Sequence, residues 1–105
     1  MTEQEWLLIE NQITKIEKGI TQLQKFSLDD RFLAISIELI NRQIRHIRKI
    51  YKKKLLLLYH IGCMVDIVKE LRKSVESGQY NTRSLVGDKV LEFEAALEEI
   101  NRIVV

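Results

Sequence analysis

No proline occurs anywhere in the 105 residues, and only four glycines do. Short-stranded β architectures turn often and depend on those two residue types, so an all-α chain is the reading that remains. The one cysteine, Cys63, excludes an intramolecular disulfide, and the amino terminus lacks the basic start and apolar run of a secretory signal. Both point to a reducing, intracellular (cytoplasmic) setting. Long apolar runs are missing too. The most apolar stretch, Leu55 to Val65, ends after eleven residues at Asp66, well short of the roughly 20 that cross a bilayer. On that ground no membrane partner is expected.

Chemistry-bearing residues are equally scarce: two histidines, one cysteine and no glycine-rich phosphate loop. His60 and Cys63 lie one turn apart and could both touch a metal, but a zinc site needs about four ligands and no other histidine or cysteine has matching spacing. Cys63 has no cation a turn away to hold a thiolate, so it reads as an inert thiol. Glu94 and Glu98 are spaced as an acid pair but fit a solvated face better. Trp6 and Tyr51 fall on packing positions, which leaves Tyr80, in a loop, as the freer aromatic. The expectation is a protein without catalytic residues, metal or cofactor.

What the chain does have is apolar periodicity. With 46% apolar and 30% charged residues it should fold as one domain spanning 1–105. Thr2 and Glu5 have the form of a capping box, opening a first helix whose apolar residues Trp6, Ile9, Ile13, Ile16, Ile20 and Leu23 alternate three and four apart and which ends near Phe26. Ser27 with Asp30 offers a weaker cap. From Leu28 no proline or turn cluster appears before Ser77-Gly78, which predicts one long helix with the seam Leu33, Ile37, Ile40, Ile44, Ile47, Tyr51, Leu58, Ile61, Val65, Val68 and Val75. Gly62 is the one plausible break, and a kink there would give four helices instead of three. Gly78 suits a carboxy-terminal cap, Gln79 to Ser84 reads as a loop, and a last, acidic helix carries Val86, Val90, Phe93, Leu97, Ile100 and Val104. The fold expected is an antiparallel helical bundle, one long central helix with two shorter ones packed on it through heptad seams.

The second half of the long helix has a further apolar set, Leu57, His60, Met64, Ile67 and Leu71, on the side away from the first seam. A helix that is apolar all round is normally buried all round, so a second copy of the chain is expected there, making a dimer or larger homo-oligomer.

Charge is distributed unevenly around a net +2. No carboxylate lies between Glu38 and Asp66, while Arg42, Arg45, Arg48, Lys49, Lys52, Lys53 and Lys54 all do, so a basic middle is flanked by acidic ends. Arg42, Arg45, Lys49, Lys52 and Lys53, with His46, form a belt opposite Ile44 and Ile47. It can be solvated, meet an acidic protein partner, or follow nucleic-acid phosphates, the last weakly because no aromatic interleaves it for base stacking.

The middle of the chain, Ile37 to Leu58, with its Glu38-Leu39, Arg42, Ile44-Arg45, Ile47-Arg48 and Lys53-Lys54-Leu55 pattern, resembles the central helix of the helical domain of GINS replication-factor subunits. The order of an amphipathic helix, a long basic helix, a loop and an acidic closing helix is similar as well. The resemblance implies a non-enzymatic subunit of a tetrameric assembly in DNA replication. Two departures stand against it: no small β domain is present, and no acidic and aromatic segment lies near the start. From the residues themselves, a non-enzymatic assembly or adaptor protein working through protein–protein interfaces is expected, with a nucleic-acid-associated protein as the alternative.

Overall fold

The computed structural model describes residues 1–25, 30–50, 52–78 and 83–105, the side chains of Arg83 and Ser84 excepted. These residues form four helices and no strand: α1 (Glu3–Gln24), α2 (Arg31–Lys49), α3 (Lys54–Glu76) and α4 (Arg83–Val104). Ser27, Tyr51, Tyr80 and the segment 79–82, all given roles from the sequence, lie outside the described residues, as does the expected helix end at Phe26.

α1 starts where the capping box places it. The Thr2 hydroxyl accepts from the Glu5 N–H at 3.1 Å, and the Glu5 carboxylate accepts from the Thr2 N–H at 2.9 Å. All six of its expected seam residues are buried, as are Leu33, Ile37, Ile40, Ile44 and Ile47 of α2 and all six seam residues of α4. Asp30 caps α2, accepting from the Leu33 N–H. α3 ends at Ser77 and Gly78, whose φ of +77° is the left-handed closing conformation that glycine adopts without strain.

The expected continuous helix is corrected. α2 ends at Lys49 and α3 begins at Lys54, with Lys52 between them at φ +62°, and α3 runs on unbroken through Gly62. A left-handed non-glycine residue costs about 1–2 kcal/mol. Turning the chain back there buries Leu57, Met64 and Leu71, all at 0% exposure, and each contributes about 1.5–3 kcal/mol. The burial outweighs the turn.

The reversal also corrects the expected self-association surface. Leu57, Met64 and Leu71 sit in the core of a single chain and His60 and Ile67 are half-buried, so this face is covered by the protein's own helices. The observed seam of α3 is Leu57, Ile61, Met64, Val68 and Leu71, with Leu58, Val65, Ile67 and Val75 at its margins.

Each helix touches only its two neighbours in a ring, α1–α2–α3–α4 and back to α1, with α1 against α4 the most extensive pair and α1 against α2 the least. Cross-helix pairs run in opposite senses along the chain: Glu3 with Lys52 and Glu17 with Arg48, then Arg72 with Glu94 and Val75 beside Gly87. The result is an up-down-up-down four-helix bundle about 42 Å long and 20 Å across.

Two glycines inside helices behave oppositely. A Cβ on Gly19 would stand 2.5 Å from Cε1 of the buried Phe93, so Gly19 lets α1 and α4 approach closely. A Cβ on Gly62 would meet nothing within 4 Å. Gly62→Ala should therefore raise stability by about 1 kcal/mol through helix propensity alone. Gly19→Ala should lower it by about 1–2 kcal/mol through overpacking. Urea unfolding followed by circular dichroism measures both, and equal effects of the same sign would refute this packing.

Candidate functional site

Among the described residues no three histidine, cysteine or carboxylate side chains converge as a metal cage would require. The polar residues that do meet join helices. His60 of α3 stacks on His46 of α2, with ring centroids 5.2 Å apart and planes 10° from parallel, and Tyr59 meets the His60 ring edge-on. Nδ1 of His60 lies 2.7 Å from Oε1 of Gln43, so the ring donates its proton to the amide oxygen from that nitrogen. Burial, and secondarily the neighbouring His46, push His60 below its ordinary pKa. Cys63 is half-buried.

An open groove of about 680 Å³ runs between α3 and α4. Ile61, Val65 and Leu97 make its apolar floor, Gly62 leaves one wall low, and Asp66, Glu94 and Glu98 make its rim acidic, with Lys69 the one cation among its lining residues. Glu94 and Glu98, read from the sequence as a solvated pair, thus line one cavity. Oε2 of Glu94 accepts from Nη1 of Arg72 at 2.8 Å, whereas its Oε1 is buried and accepts no hydrogen bond. Helical periodicity alone could not have found this groove, because it depends on which helix α4 packs beside.

The basic belt is on the surface, but its five residues are not equivalent. Lys52 pairs with Glu3 at 2.5 Å and Arg45 with Glu38 at 3.2 Å, while Arg42, Lys49 and Lys53 are exposed and make no ion pair among the described residues. Arg48, outside the expected set, forks onto Glu17 at 2.5 and 2.6 Å and holds that carboxyl below its ordinary range, chiefly through the hydrogen bonds. Where the belt meets α3, Lys53 is the N-cap without a side-chain cap bond, and Lys54 follows exposed. Directly after them Leu55, Leu56 and Tyr59 are 82%, 45% and 66% exposed. This juxtaposition of cations and bare leucines was missed from the sequence, where Leu55 entered only as the start of the most apolar stretch and Lys53 only as part of the basic belt.

The His60 shift sets a pH dependence. Its folded pKa lies below its ordinary 6.5, so the unfolded chain takes up the proton first, and the folded state loses stability as pH falls from about 6.5 towards the lower folded value. Glu17 adds a second loss only below about 4.5. Urea midpoints should drop through the first window in the native chain and stay nearly flat there in His60→Leu. An unchanged midpoint in the native chain would count against the half-buried neutral ring.

No protein-family model, no curated protein and no solved structure matches this chain, so its function has to be argued from these surfaces.

Proposed function

We propose that the chain is a non-enzymatic helical adaptor that works through protein–protein contact, with the α3–α4 groove as its receiving surface. The observation that carries this reading is the groove itself, an apolar floor of Ile61, Val65 and Leu97 under an acidic rim of Asp66, Glu94 and Glu98. The occupant that answers both features is an amphipathic segment bringing an apolar side chain to the floor and lysine or arginine to the rim, the helix-in-groove mode of recognition.

The belt supports a second reading, contact with an acidic protein or with nucleic acid, because Arg42, Lys49 and Lys53 are exposed without ion pairs. Three phosphate contacts would give a slope of log affinity against log salt of about −2.7. Membership of a replication assembly, implied by the resemblance to GINS helical domains, is the reading with least support, since it drew on a central helix from Ile37 to Leu58. In the structure α2 ends at Lys49 and α3 begins at Lys54.

Fluorescence anisotropy with labelled amphipathic helical peptides, one set basic and one acidic, tests the groove. Basic peptides should bind, and Gly62→Leu, which fills open space without touching the core, should weaken them by tenfold or more. Asp66→Lys should act in the same direction. Equal binding of both peptide sets, or indifference to Gly62→Leu, would remove the groove reading. The same titration with labelled DNA and RNA examines the belt through its salt slope.

A further inference from the structure

We propose that the corner joining α2 to α3 is a docking site for an anionic lipid surface, with Leu55 and Leu56 entering the hydrocarbon margin and Lys49, Lys53 and Lys54 meeting headgroup phosphates. It is a different surface from the α3–α4 groove and stands independently of that reading. Among the described residues no helix is long and apolar enough to cross a membrane. The expectation of no membrane partner rested on that alone, and attachment to a surface needs no such helix.

Three observations converge. First, Leu55 is 82% exposed and Leu56 45%, beside a core that buries nearly every other aliphatic residue of α3 wholly or in part, so the leucines are not surplus to a full interior by accident of position alone. They stand on the first turn of a helix at one end of the bundle, and their exposure makes them a projection. A projection finds its complement most readily in a fluid phase that closes around it.

Second, Lys53 and Lys54 sit at the positive end of the α3 dipole, a place where cations are disfavoured and acidic residues are the rule. α1 has Glu3 and Glu5 in its first turn and α2 is capped by Asp30, whereas the start of α3 has neither an acidic residue in its first turn nor a side-chain cap. A bound anion removes the conflict. Third, Lys49, Lys53 and Lys54 make no ion pair among the described residues; Glu5, whose charge Lys54 feels, is held by the Thr2 cap, and Glu3 pairs with Lys52. Nucleic acid would use the cations but leave the leucines in water; an anionic lipid surface uses both.

The test is co-sedimentation of the full chain with vesicles of phosphatidylcholine alone and of phosphatidylcholine mixed with phosphatidylserine, at low salt. Binding is expected to the mixed vesicles only. Leu55→Ser with Leu56→Ser should lower it by roughly tenfold or more. Lys53→Glu with Lys54→Glu should lower it at least as much. All four residues are exposed, and circular dichroism verifies that the variants fold. Lys15→Glu with Lys18→Glu, the same charge change at exposed positions midway along α1, should leave binding nearly unaltered. The proposal is overturned by failure to bind the mixed vesicles. It is overturned equally by binding that ignores the leucine variants, or by tighter binding to DNA or RNA that does so. None of these outcomes bears on peptide binding in the groove, which Gly62→Leu reports separately.

Discussion

Two sides of α3 have to leave water, because Leu57, Met64 and Leu71 lie on one and Leu58, Val65 and Val75 spread round towards another. One neighbouring helix cannot cover both. The chain meets this demand by reversing between Lys49 and Lys54, so that α2 takes one flank of α3 and α4 the other. The ring order, the α3–α4 groove and the exposed corner all follow from that reversal. The groove exists because α4 lies beside α3, and the corner exists because the chain must pass from one end of α2 to the start of α3.

Much of this was legible in the residues. The seams of α1 and α4 and the first half of the central segment were readable because a three-four alternation buried on one face has a single solution. The capping box of Thr2 and Glu5 was readable because it is local. The reversal was not, since turns without glycine or proline leave no compositional mark, and Gly62, the residue that looked like a break, lies inside a continuous helix. A helix apolar on two sides signals that a second partner is needed, but whether it comes from another chain or from the same one is a question of tertiary path. Likewise the belt residues were identifiable as cations, while the pairing of Lys52 with Glu3 and Arg45 with Glu38 depends on neighbours that only folding supplies.

The electrostatic pattern acquires a direction in three dimensions. Acidic α4 turns part of its charge towards the groove, where Glu94 and Glu98 stand over apolar floor residues, whereas the cations of α2 and the start of α3 collect at one end of the bundle. Surface pairs such as Arg48 of α2 with Glu17 of α1 join neighbouring helices, each contributing well under 1 kcal/mol if exposed and somewhat more where a bidentate fork is formed. Charge here does little for stability and more for sorting which surface meets which kind of neighbour.

The turn at Lys52 has a consequence for how copies of the chain can exchange parts. Helical periodicity continues on both sides of it, and the local backbone favours a right-handed residue where Lys52 holds a left-handed one. A chain that straightened there would lose the contact of its own α1 and α2 with α3 and α4, yet a second straightened chain would supply identical surfaces. Two such chains would rebuild the same interiors reciprocally, α1 and α2 of each closing on α3 and α4 of the other, as a domain-swapped pair. Such a pair would keep most buried contacts of the single chain and would differ from it at the turn, so the residue at position 52 would bear on whether it forms.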